Sequence, residues 1–106
     1  MSEREQDQTG TITRTRAARK VQKPPMFKVL LHNDNFTTRE FVVEILRTVF
    51  HHSEGEATRI MLHVHQRGVG LAGIYTFEVA EIKVGTVEAL AQQHQFPLML
   101  TIEPEE

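Results

Sequence analysis

Phe27-Lys28-Val29-Leu30-Leu31-His32-Asn33-Asp34-Asn35-Phe36-Thr37-Thr38-Arg39-Glu40-Phe41 holds a strand, a polar loop and a helix start in one unbroken run. Phe27, Val29 and Leu31 alternate with Lys28, Leu30 and His32, a period of two that predicts a first strand. Thr37 and Glu40 stand at capping-box spacing, and Phe36 and Phe41 fall at the N′ and N4 positions of a hydrophobic staple, so the helix is expected to start from Thr37. The loop Asn33-Asp34-Asn35 is then held between two fixed elements. A rigid amide and carboxylate beside an apolar helix start suit a ligand that carries both a positive charge and a large apolar group.

The pattern continues outward from this stretch. Phe41, Val42, Ile45, Leu46 and Val49 follow amphipathic-helix spacing to about Phe50. Ser53 and Glu56 form a second capping box, and Ala57, Ile60, Met61 and Val64 mark one face of a second helix ending before Gly68. Val69 to Tyr75 reads as a second strand, weakened or bulged by Gly70 and Gly73. Thr76 is placed to cap a third helix with the buried stripe Ala80, Val84, Val87 and Ala91, and Glu78 and Glu81 lie in its first turns, where the helix dipole favours acids. Pro97 opens a last strand, Leu98 to Ile102. The order β-α-α-β-α-β predicts an α+β fold, with three helices packed on a small, mainly antiparallel three-stranded sheet.

With 106 residues, 40% of them hydrophobic, the chain supports one core. Residues 25–106 are expected to form it. Residues 1–24 hold too little apolar surface to offset the entropy of ordering and are expected to be a disordered N-terminal extension. The net charge of −2 divides into +3 on that extension and −5 on the remainder. The basic residues Arg14, Arg16, Arg19 and Lys20 have no interleaved aromatic residue for base stacking, and the domain behind them is acidic, so no nucleic-acid partner is expected. There are no cysteines. No apolar run approaches the roughly 18 residues of a membrane span, and the N-terminus is too polar for a signal peptide, so a cytoplasmic protein with no membrane partner is expected. The pairs His51-His52 and His63-x-His65 do not converge on a helix, so neither a metal nor any other cofactor is expected. Nothing in the sequence demands more than a monomer.

Asn33-Asp34 before a capped helix, Met61-Leu62-x-Val64-His65 on the next helix, Gly68 and Gly73 about the second strand, Glu78-Val79-Ala80-Glu81 with Lys83 on the third, and Pro97-Leu98 near the end together resemble ClpS, the adaptor family of the bacterial N-degron pathway. The resemblance covers roughly Lys23 to Glu103. It implies an adaptor, not an enzyme. Such an adaptor binds the free α-amino group and the large hydrophobic first side chain of its substrates (Phe, Tyr, Trp or Leu) and delivers them to the ClpA unfoldase of the ClpAP protease. By similarity, Asn33 and His65 accept hydrogen bonds from the ammonium and Asp34 supplies negative potential. Thr37, Val42, Met61, Val64 and Leu98 line the pocket with Arg39 at its rim, while Glu78 and Lys83 belong to the contact with the ClpA N-terminal domain, which Ile82, expected on the outward side of the third helix, would widen. The resemblance also implies that the N-terminal extension is engaged by the unfoldase during delivery.

Three residues depart from the family pattern. Arg39 stands where methionine is common, Asn35 where aspartate is common and Ile82 where threonine is frequent. A guanidinium prefers a flat ring or a carboxylate, whereas methionine adapts to many shapes, so a preference for aromatic first residues over Leu is expected. Imidazole accepts a hydrogen bond only when neutral, so binding is expected to weaken below about pH 6. One competing reading is another peptide- or nucleic-acid-binding module of similar α+β shape, which the acidic body disfavours, and the other is a small hydrolase using Asp34 and His65 as an acid–base pair. It lacks a nucleophile and an orienting partner for the base.

Overall fold

The computed structural model describes residues 23–106. The extension assigned to residues 1–24 therefore falls almost wholly outside the described residues. Six elements follow in the expected order: β1 (Met26–His32), α1 (Arg39–Thr48), α2 (Glu54–Arg67), β2 (Val69–Thr76), α3 (Phe77–Gln93) and β3 (Met99–Pro104). The strands form one sheet in the order β2-β1-β3, with both pairings antiparallel.

The alternation read in β1 decides which face of the sheet is covered. Val29 and Leu31 are fully buried. Gly73 and Gly70 lie opposite them on β2, and Ile102 and Leu100 lie opposite them on β3. The helices close over this face, with Val42, Ile45 and Leu46 from α1, Ala57, Ile60 and Val64 from α2, and Ala80, Val87 and Ala91 from α3 completing the core. Val84, expected in the α3 stripe, is only partly buried. On the other face Leu71, Ile74 and Met99 remain exposed.

The expected bulge is present. Register shifts between Val29 and Leu30, so that β2 carries one extra residue between Gly73 and Leu71. Gly70 is needed for a different reason, because a Cβ there would come within 2.6 Å of Val64 Cγ2. The bare backbone lets β2 lie directly against α2. The last strand begins one residue later than read, at Met99, with Leu98 buried just before it. Among the described residues no helix is long and apolar enough to cross a membrane.

The expected start of α1 is wrong by one residue. Thr38, not Thr37, is the N-cap, and its hydroxyl accepts from the Phe41 N–H. The third helical residue is then Phe41 rather than Glu40, so no capping box forms, and Phe36 is 74% exposed rather than packed as a staple. Two adjacent threonines offer the same chemistry, and Thr37 is occupied by Asp34. At α2 the Ser53 hydroxyl accepts from the Glu56 N–H as expected, but the Glu56 carboxylate turns forward to Arg59 instead of back to the cap. Thr76 stands at the N-cap of α3 without a side-chain bond.

Candidate functional site

Asp34 is the organising residue of the loop after β1. One carboxylate oxygen accepts from the N–H groups of Phe36 at 2.8 Å and Thr37 at 2.7 Å, and the other accepts from the Thr37 hydroxyl at 2.8 Å. This is an Asx turn closed by a threonine, and it fixes the entry to α1 in place of the expected staple. Burial is the largest single influence on the Asp34 carboxyl and opposes ionisation. The three hydrogen bonds together outweigh it and hold the group below its ordinary 3.8.

A second tie joins this loop to α2. Gly68 ends α2 in the left-handed region at φ 92°, which favours glycine, and its carbonyl accepts from the Asn33 N–H at 2.8 Å. The last turn of α2, which carries Val64 and His65, is thereby pinned beside the exit of β1.

Between these elements lies an open cleft of about 410 Å³, lined by Asn33, Asp34, Asn35, Phe36, Thr37, Thr38, Arg39, Glu40, Val42, Met61, Val64 and His65. That volume is within the range of sites that take small ligands, roughly 300–1,000 Å³. A void of about 20 Å³ shares Asn33, Asp34, Thr37, Val42 and Val64 with the cleft and adds Leu31, His32 and Leu98. Eight of the nine residues assigned to the amine and side-chain sites therefore line the cleft, and the ninth, Leu98, lines the void beside it. The polar rim of the cleft is Asn33, Asp34, Arg39 and His65, and its apolar wall includes Val42 and Val64, with Leu98 in the adjoining void, each of these three at most 8% exposed. A wall already inside the core adds no further burial cost of its own, while the polar groups gather at the rim.

Two details of the rim were not legible in the sequence. The Arg39 guanidinium donates to His65 Nε2 at 2.9 Å, which places the imidazole proton on Nδ1. Phe36 stands exposed at the cleft instead of closing α1. The spacing Asp34-x-x-Thr37, which permits an Asx-type turn, is the signal that would have corrected the reading of Phe36. No sequence signal links Arg39 to His65, because the pair is 26 residues apart.

The three α3 residues do not share one environment. Glu78 is exposed and Ile82 is 69% exposed. Lys83 is half-buried, and its Nζ donates to the Val49 carbonyl at 2.7 Å and lies 5.1 Å from the centre of the Tyr75 ring. That ammonium satisfies a carbonyl at the C-terminus of α1, where the helix dipole favours a cation. A second cavity of about 220 Å³ between α2 and β2 is lined by His52, Glu56, Arg59, Ile60, His63, Leu71, Ala72 and Gly73 and shares no residue with the cleft. Among the described residues no group of three or more His, Asp or Glu side chains is arranged to hold a metal ion.

Comparison with known proteins gives this architecture relatives. The family model described as ATP-dependent Clp protease adaptor protein ClpS matches residues 22–101. An ATP-dependent Clp protease adapter protein ClpS from Myxococcus xanthus is 57% identical over 106 residues, covering 100% of this chain and 99% of that protein. One from Desulfatibacillum aliphaticivorans is 59% identical over 91 residues, covering 86% and 88%. Among solved structures, Agrobacterium tumefaciens ClpS2 bound to L-phenylalaninamide superposes with a TM-score of 0.75 at 38% identity, covering 78% of this chain and all of that one.

Proposed function

Because the chain belongs to the ClpS family of Clp protease adaptors, a family of adaptors and not of enzymes, we infer that its cleft captures the free N-terminus of proteins marked for degradation by a large hydrophobic first residue. The observation that carries this reading is the convergence of Asn33, Asp34 and His65 with Val42, Met61 and Val64 around one cleft. It is supported by the solved relative bound to L-phenylalaninamide, a molecule that has both a free α-amino group and an aromatic side chain.

The chemistry divides between the two parts of the ligand. The Asn33 side-chain carbonyl and His65 Nε2 accept from the α-ammonium, and Asp34, whose oxygens are engaged within the loop, acts through its field rather than by direct contact. Burial of a Phe side chain against Val42, Met61, Val64 and Leu98 contributes roughly 1.5–3 kcal/mol, which alone gives weak binding. Hydrogen bonds to a charged group add about 1.5–3 kcal/mol each, and stranding either partner costs more, so blocked or internal residues are rejected. Arg39 at the rim favours a flat aromatic ring over Leu. The captured protein passes to the ClpA unfoldase through its N-terminal domain, with Glu78, Ile82 and Lys83 on α3 as the contact.

Titration of labelled peptides that begin with free Phe, acetylated Phe or Lys tests the reading. Only the first binds if the cleft reads a free amine and an apolar side chain together. Equal binding of the acetylated peptide rules out the ammonium site, and turnover of any of the three rules out an adaptor.

A further inference from the structure

The structure leaves a cation already seated on one of the two acceptors that a ligand ammonium requires. Arg39 is the first residue of α1, where the positive end of the helix dipole disfavours a cation. Among the described residues it forms no ion pair, although Glu40 follows it directly and the other two arginines with carboxylate neighbours, Arg47 and Arg59, are paired with Glu44 and Glu56. Instead it crosses the cleft from α1 to the last turn of α2 and donates to His65 Nε2 at 2.9 Å. Both oxygens of Asp34 are engaged with Phe36 and Thr37. The His65 nitrogen is thus occupied before any ligand arrives.

We propose that Arg39 is a tethered competitor that sets the specificity of this cleft: an incoming ammonium must displace its guanidinium from His65 Nε2, and only a ligand able to hold the displaced guanidinium recovers the loss. Resting on the reading of the cleft as an ammonium site, this adds a cause for the discrimination. Binding exchanges one cation on the imidazole for another, so His65 contributes less than it would to an empty acceptor. The released guanidinium lies at the rim, over the entering side chain. A phenyl or indole face returns about two- to fivefold in affinity through cation–π attraction, and a Leu side chain returns none. Selectivity for aromatic first residues then arises from a penalty on every ligand that aromatic ligands partly cancel.

Two measurements on the full chain test this. The first needs no ligand. At a pH above the histidine range, Arg39→Met shifts the His65 Nε2 signal in ring-nitrogen NMR, whereas Arg47→Met, on the same helix, leaves it unmoved. An unmoved His65 signal in Arg39→Met overturns the proposal. The second is affinity. A charge-assisted hydrogen bond that remains exposed is screened by solvent to roughly two- to fivefold, so Arg39→Met tightens a Leu-started peptide by about fivefold and a Phe-started peptide by about twofold or less. In a double-mutant cycle, His65→Ala costs at least about threefold more in the Arg39→Met background than in the parent, the sign of shared use of one acceptor. Equal gains for both peptides, or additive costs in the cycle, overturn the proposal. If neither the parent nor Arg39→Met binds a Phe-started peptide, the ammonium reading falls and the exchange falls with it, while the ring-nitrogen signal still reports whether the contact exists.

Discussion

Asp34 shows how one side chain can shape a cleft from within its own loop. Its three hydrogen bonds go to Phe36 and Thr37, and the loop they close sets the position of Asn33 and the approach of α1. The carboxyl is held below its ordinary value, so the ionised form stabilises the folded loop above the ordinary carboxylate range. That contribution fades as pH falls through the lower folded value. Urea unfolding of the parent is therefore expected to move to lower midpoints between neutral pH and pH values below 3.8, and Asp34→Asn is expected to reduce that pH dependence. An identical pH dependence in the variant would remove Asp34 from this role. Lys83 makes a comparable point on α3. Its ammonium is already engaged by the Val49 carbonyl, so Lys83→Met is expected to lower thermal stability as well as any affinity for the unfoldase, whereas a pure surface contact would lower only the latter.

At the scale of elements, adjacent residues with the same chemistry are where sequence reading lost resolution. Thr37 and Thr38 both offer a cap, and the spacing to Glu40 favoured the first. The choice was settled instead by Asp34, three residues before Thr37 and close enough to take its hydroxyl. Thr38→Ala is expected to cost about 1 kcal/mol of stability with peptide affinity little changed. Thr37→Val, which keeps the shape and loses the hydroxyl, is expected to weaken peptide binding more than folding. Equilibrium unfolding and peptide titration of the two variants separate these outcomes, and the capping-box reading predicts the stability loss at Thr37 instead. Strong periodicity, by contrast, is legible except at the margins of the stripes, where Met61 and Val84 are only partly buried. Val29 and Leu31 in β1, the Ala57, Ile60 and Val64 face of α2, and Ala80, Val87 and Ala91 in α3 are buried as their spacing required. Gly70 and Gly73 announce an irregular strand, and the extra residue of β2 lies beside Gly73, between it and Leu71. The Arg39–His65 bond could not be read, because it depends on the packing of α1 against α2 and not on any local pattern.

The whole molecule keeps two surfaces on separate elements: a cleft built from the β1 exit, α1 and α2, and an exposed patch on α3 around Ile82. An adaptor needs this separation, since it must hold a substrate and a protease partner at once. Ile82→Asp is expected to weaken association with the ClpA N-terminal domain at least about fivefold, by placing a charge in an apolar contact, while peptide affinity stays within twofold of the parent. Loss of both together would mean that Ile82 supports the fold and not a contact. We infer that recognition rests on one cleft that holds a free amine and its apolar neighbour together, with Asn33 as an acceptor. Calorimetric titration of Asn33→Ala with a Phe-started peptide tests it most directly. An affinity at least about tenfold below the parent, the loss of one hydrogen bond to a charged group, is the predicted result. An unchanged affinity in a variant that folds as stably as the parent would contradict it.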